Sequence, residues 1–131
     1  APQAKILVVD DNRLNLTVVK GLLKRTKAQI DFANSGFECL EKIKNEDYQI
    51  IFLDHMMPKL DGIETLHKMQ KQEENKSKNA VVIALTANAV EGAREEYLQN
   101  GFQDYLSKPV SGKELEKKLR EYLPKNLIES A

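Results

Sequence analysis

The chain has 131 residues, 41% hydrophobic and 31% charged, and its 20 Lys and Arg balance 20 Asp and Glu to a formal net charge of zero. That length suits one domain that buries its own core, and the balanced charge supplies no basic excess for general nucleic-acid or membrane-surface binding. A lone Cys39 excludes an internal disulfide, two histidines without a Cys cluster exclude a structural zinc centre, and no apolar run approaches the ~20 residues of a membrane span.

In chain order, residues 1–5 leave no room for a secretory apolar region before the first strand, and the unpaired Cys39 leads to the expectation of a reducing, cytoplasmic setting. Ile6, Leu7, Val8 and Val9 form a short apolar run that stops at Asp10-Asp11-Asn12 and predicts a first strand. Leu16, Val19 and Leu23, widened by Leu22, recur at helical spacing. A weaker strand falls over residues 29–33. Asn34-Ser35-Gly36 then reads as a turn opening a second helix, with Phe37, Leu40 and Ile43 as its apolar stripe. Ile50, Ile51, Phe52 and Leu53 run into Asp54 as a third strand, and Ile63, Leu66 and Met69 predict a third helix. Residues 73–78 are polar and read as a solvated loop. Residues 80–85 predict a fourth strand ending at Thr86, and Val90, Ala93 and Tyr97 mark a fourth helix stopped near Asn100-Gly101. A weak fifth strand at 104–106 precedes a fifth helix carrying Leu115, Leu119 and Tyr122 and closed by Pro124.

The strand runs are continuously apolar rather than alternating, which predicts a parallel sheet buried on both faces. The expected fold is a doubly wound α/β domain of five strands and five helices. One domain is expected over residues 1–131, with its core at about 5–123 and a loosely ordered tail at 124–131.

In open parallel sheets ligands bind beyond the carboxyl ends of the strands. Those ends carry Asp10, Asp11, Asp54, Thr86 and Lys108. Taken singly each has an ordinary explanation: a helix cap for Asp10-Asp11-Asn12, surface solvation for Lys108. Together they place three carboxylates, a hydroxyl and an ammonium at one edge. Crowded carboxylates repel unless a cation joins them, and a hard divalent ion such as Mg²⁺ suits an all-oxygen donor set. One carboxylate could then attack phosphorus, with Lys108 and Thr86 contacting the transferred oxygens.

With these residues in place, the chain resembles a bacterial response-regulator receiver domain from about Lys5 to Leu123. The resemblance rests on Val8-Val9-Asp10-Asp11-Asn12, on Phe52-Leu53-Asp54-His55-Met56-Met57-Pro58 with Asp61-Gly62, on Ala84-Leu85-Thr86-Ala87, and on Tyr105-Leu106-Ser107-Lys108-Pro109. It implies a flavodoxin-like sheet in the order 2-1-3-4-5, and Asp54 as phosphoacceptor. It also implies Mg²⁺ (or Mn²⁺) on Asp10, Asp11, Asp54 and the backbone carbonyl of Met56. Thr86 and Tyr105 match the switch hydroxyl and switch aromatic, Lys108 the phosphate-binding lysine, and Pro109 the proline preceded by a cis peptide bond. Met56 and Asn88 match the positions that tune the lifetime of the phosphorylated state.

The implied function is a phosphorelay switch that takes a phosphoryl group from a histidine kinase or a histidine phosphotransfer domain and alters a partner-binding surface. Such a domain is not a conventional enzyme, although it catalyses its own phosphorylation and slow dephosphorylation. Asp-Asp-Asn followed by Asn15-Leu16, and Asp-His-Met-Met-Pro, resemble receivers of hybrid sensor histidine kinases. In that setting the domain would be the cytoplasmic end of a membrane-bound kinase, without inserting into the membrane itself. Residues 125–131 are too short for a helix-turn-helix, so no direct nucleic-acid binding is expected.

Two rivals fare worse. A haloacid-dehalogenase-like phosphatase needs a second Asp where Met56 stands, and a flavodoxin needs a Ser/Thr/Gly-rich loop where Asp10-Asp11-Asn12-Arg13 stands. Among weaker signals, strand alternation turns His55 away from Asp54, and His67 is a surface residue. Met57 and Met69 read as packing, and the alternating charges of residues 113–120 as a solvated helix face.

Overall fold

The computed structural model describes residues 5–23, 29–55, 57, 59–77, 80–86, 93–107 and 112–122. Met56, Asn88, Lys108 and Pro109 lie outside the described residues, as do Val90 and the tail. Five strands alternate with five helices: β1 Lys5–Val9, α1 Arg13–Leu23, β2 Gln29–Ala33, α2 Gly36–Asn45, β3 Ile50–Asp54, α3 Gly62–Lys71, β4 Val81–Thr86, α4 Ala93–Gln99, β5 Asp104–Ser107 and α5 Gly112–Tyr122. The strands form one sheet in the order β2-β1-β3-β4-β5, every pair parallel. Both the parallel sheet and the order expected for it are found.

Successive strand residues face opposite sides, so each apolar run feeds two cores. Leu7, Val9, Ile51, Leu53, Val82 and Ala84 pack on one side with Cys39 and Ile43 of α2, Leu66 and Met69 of α3, and Tyr97 of α4. Ile6, Val8, Ile50, Phe52, Ile83 and Leu85 pack on the other with Val19 of α1 and Leu115 and Leu119 of α5. Burial on both faces is why these runs read as continuous rather than alternating.

The second helix departs from its expected stripe. Phe37 is 54% exposed, and the buried positions are Gly36, Cys39 and Ile43. The cause is a close approach to α3 and the loop before it: a Cβ at Gly36 would lie 2.2 Å from Thr65 Oγ1 and 2.8 Å from Leu60 Cδ2. Only glycine permits that contact, and turning Gly36 inward turns Phe37 outward. Ser35 caps the helix by accepting from Glu38 N–H at 3.1 Å.

The polar segment before β4 is also tied down rather than simply solvated. Ser77 is buried; its hydroxyl accepts from Tyr48 N–H at 2.9 Å and donates to Glu46 C=O at 2.7 Å. Lys76 N–H donates to Ile43 C=O at 2.8 Å. These bonds join the α3–β4 connection to the α2–β3 turn, satisfying backbone groups that no strand or helix reaches.

Candidate functional site

β1 and β3 are neighbours in register, so their carboxyl ends deliver Asp10 and Asp54 side by side. Both are buried, at 1% and 3% exposure, whereas Asp11 is exposed. One carboxylate oxygen from each of Asp10, Asp11 and Asp54 lies within 4.8 Å of the others. Asp10 is fixed at both ends: its N–H donates to Ala33 C=O at 3.0 Å, and its Oδ1 accepts from Asn12 N–H at 3.0 Å. Leu16 N–H donates to Asn12 C=O at 3.2 Å, so the turn that presents the acidic pair runs straight into α1.

The Asp54 end of β3 is held with equal care. His55 N–H continues the sheet by donating to Leu85 C=O at 3.0 Å, and Gly62 N–H returns to His55 C=O at 2.8 Å. The loop between them turns through Lys59 at φ 69°. Asp61 then caps α3 in a reciprocal box with Glu64, the carboxylate accepting from Glu64 N–H at 2.8 Å and Glu64 Oε1 accepting from Asp61 N–H at 3.2 Å.

Thr86 ends β4 and is buried, at 2% exposure. Tyr105 pairs with Ala84 in the sheet and packs against the same core as Ala84. Thr86, two residues beyond Ala84, therefore shares the Tyr105 face. Expected site residues Asp10, Asp11, Asp54, Thr86 and Tyr105 are thus brought to one end of the sheet. His55 points to the opposite face from Asp54, as strand alternation requires, and its Nδ1 lies 2.8 Å from the Tyr97 hydroxyl.

Tyr97 is the residue that motif reading overlooks. It is 4% exposed, meets the rings of His55 and Phe102 edge-on at 5.4 and 5.5 Å, and stacks on Tyr105 at 5.9 Å with 27° between planes. Burial pushes its phenol up, opposed by a hydrogen bond with Thr86. Its helical spacing with Val90 and Ala93 marks it only as a core residue.

A second unforeseen group is Asp104. Burial favours its neutral form, yet Lys118, the Tyr105 N–H and the Tyr122 hydroxyl together outweigh this and hold the carboxyl below its usual range. Lys118 is therefore not on a solvated face: its ammonium pairs with Asp104, and its side chain is 16% exposed. The buried Cys39, its thiol pushed up to about 12 by desolvation, is no nucleophile. His67 is exposed, and Met57 and Met69 are buried, in keeping with surface and packing roles.

The donor set suits a hard divalent cation: three carboxylates, one open to solvent, and neither His nor Cys among the grouped ligands. No helix among the described residues is long and apolar enough to cross a membrane.

Comparison with known proteins agrees with this geometry. BarA, a signal transduction histidine-protein kinase of Escherichia coli K12, is 34% identical over 128 residues, covering 95% of this chain and 13% of BarA. Histidine kinase 5 of Arabidopsis thaliana is 31% identical over 143 residues, covering 91% of this chain and 16% of that protein. The chain thus spans only about a seventh of the length of these relatives. Among solved structures, the receiver domain of a Pseudomonas aeruginosa sensor histidine kinase superposes with a TM-score of 0.80 and 34% identity, covering 91% of this chain and 96% of that one. That structure holds a magnesium ion coordinated in its active-site cleft. The Saccharomyces cerevisiae receiver domain of Ssk1, crystallised with the histidine phosphotransfer protein Ypd1, matches with a TM-score of 0.81 and 28% identity, covering 92% of this chain and 89% of the matched one. A family model described as the response regulator receiver domain matches residues 6–120. With the sheet order, the carboxylate cluster and this match in agreement, the chain belongs to the response regulator receiver domain family of two-component signalling.

Proposed function

We propose that this receiver takes a phosphoryl group from a phosphohistidine onto Asp54. The donor would be a histidine kinase or a histidine phosphotransfer domain. The observation that carries the reading is the convergence of Asp10, Asp11 and Asp54, two of them buried, at adjacent strand ends. An Asp54 carboxylate oxygen attacks phosphorus and the P–N bond breaks. Its electron pair returns to the imidazole nitrogen, leaving an acyl phosphate on Asp54.

Asp10, Asp11, Asp54 and the Met56 carbonyl would hold Mg²⁺ or Mn²⁺, which when bound neutralises phosphoryl charge. Within the chain, Lys108 and the Thr86 hydroxyl contact the phosphoryl oxygens. Thr86 and Tyr105 then reposition the α4–β5–α5 face for a partner. The full protein would be a hybrid histidine kinase with this receiver on its cytoplasmic side, as the kinase relatives and their much greater length support.

The test is intact mass after incubation with a small phosphodonor and Mg²⁺. The native chain should gain one phosphoryl group, and Asp54→Asn or added chelator should abolish the gain. Full labelling of Asp54→Asn would remove Asp54 as the acceptor.

A further inference from the structure

We propose that Tyr97 is a positioning residue that links the end of the acceptor strand, through His55, to the ring of Tyr105. This rests on Asp54 as acceptor and on Tyr105 as a switch residue.

Strand alternation puts Asp54 on the side of the sheet where Phe52 packs with α1 and α5, and His55 on the side where Leu53 packs with α2, α3 and α4. A change at Asp54 therefore reaches α4 by way of the next residue. The His55 backbone is fixed on both sides: its N–H donates to Leu85 C=O at 3.0 Å, and its C=O accepts from Gly62 N–H at 2.8 Å. Its ring meets Tyr97 edge-on at 5.4 Å, and its Nδ1 lies 2.8 Å from the Tyr97 hydroxyl, a hydrogen bond whichever atom carries the shared proton. Any large apolar side chain could fill the core at position 97, but only the hydroxyl makes this bond.

The same phenol ring is the surface on which Tyr105 stacks, at 5.9 Å and 27°. Phe102 holds Tyr97 from a further side, by an edge-on ring contact at 5.5 Å and by an N–H that donates to Tyr97 C=O at 3.0 Å. At 4% exposure Tyr97 cannot shift without repacking these neighbours. A displacement of the β3 end is thus passed to Tyr105 through two contacts, the His55 hydrogen bond and the Tyr105 stack. Tyr105, only partly buried, is the element whose equilibrium the acceptor end biases.

The experiment follows the Tyr105 ring resonances by NMR in chains that are free or saturated with beryllofluoride in Mg²⁺, saturation removing any difference in affinity. Tyr97→Phe keeps the ring contacts and removes the hydroxyl. The factor by which beryllofluoride shifts the Tyr105 equilibrium should fall about five-fold, the net worth of one hydrogen bond. His55→Phe, which keeps a ring and removes Nδ1, should lower that factor to the same extent. The double variant should fall no further than either single one, to within about two-fold, because both remove one bond. An undiminished factor in Tyr97→Phe overturns the inference alone, as do losses that add in the double variant. A native chain that binds beryllofluoride through Asp54 with no response at Tyr105 overturns Tyr105 as a switch residue and the inference with it. A response that persists in Asp54→Asn overturns the acceptor reading as well.

Discussion

Gly62 lies directly against the backbone of Asp54: a Cβ at position 62 would sit 2.4 Å from the Asp54 carbonyl oxygen and 2.9 Å from His55 Cα. Gly62 N–H also closes the loop by donating to His55 C=O at 2.8 Å. The first residue of α3 therefore sets where the acceptor strand ends. Gly62→Ala cannot be accommodated by a side-chain rotation, because the obstructing atoms are backbone. The substitution should destabilise the fold by about 1–3 kcal/mol, as overpacking does, and slow labelling of Asp54 by a small phosphodonor. Denaturant unfolding and labelling rate check the two effects separately. A Gly62→Ala chain as stable and as fast as the native one would refute this account.

Asp11 differs from Asp10 and Asp54 in being exposed, although all three carboxylates converge. Its removal should therefore cost the metal-free fold less than about 0.5 kcal/mol, as surface substitutions generally do. Mg²⁺ at 100 times its dissociation constant should raise native stability by about 2.7 kcal/mol through linkage. Asp11→Ala should lose most of that gain at the same Mg²⁺ concentration. Thermal unfolding with and without Mg²⁺ measures both numbers, and an undiminished Mg²⁺ effect in Asp11→Ala would remove Asp11 from the ligand set.

Asp104 ties β5 to α5 through Lys118 and the Tyr122 hydroxyl, the latter at 2.9 Å. Burial opposes its ionised form, but these partners and the Tyr105 N–H hold its carboxyl below the usual value of 3.8. A depressed folded-state value means stability that is fully present above pH ~4 and is lost as pH falls through the folded value. Lys118→Met should cost about 3 kcal/mol near neutrality by leaving Asp104 buried without its cation. It should also remove part of the acid-induced loss of stability below pH ~4. Tyr122→Phe should cost about 1 kcal/mol. Urea unfolding between pH 3 and 7 checks the prediction, which fails if Lys118→Met and native chains differ by a constant amount across that range.

Met56 and Asn88 occupy the positions expected to tune hydrolysis of the acyl phosphate. A Met side chain has no strong donor or acceptor with which to orient an attacking water. Asn88 can hold a water but, unlike a carboxylate, cannot accept its proton at neutral pH. Self-dephosphorylation should therefore be slow, and Met56→Asn should hasten it several-fold. The decay of labelled protein in Mg²⁺ decides the matter; equal rates for the two chains would mean that backbone geometry and metal affinity dominate.

Much of this molecule follows from local pattern alone. Runs such as Ile50-Ile51-Phe52-Leu53 bury both faces, so they read as parallel strands before any packing is known. Strand ends in such a sheet converge, so Asp10, Asp11, Asp54 and Thr86 declare a common site from their positions in the chain. Tertiary structure decided what periodicity cannot express. The stripe of α2 was set by a Gly36 contact with Thr65 and Leu60, which faces Phe37 outward against its hydrophobicity. Lys118 was drawn from an apparently solvated face to a buried carboxylate 14 residues away, and Ser77 was recruited to the turn at Glu46 and Tyr48. Tyr97 meets His55, 42 residues distant, only because β3, β4 and β5 lie in that order and α4 packs over them. Helical spacing reports which side of an element is apolar; which partner that side touches depends on sheet order and helix rotation, and these are properties of the assembled fold.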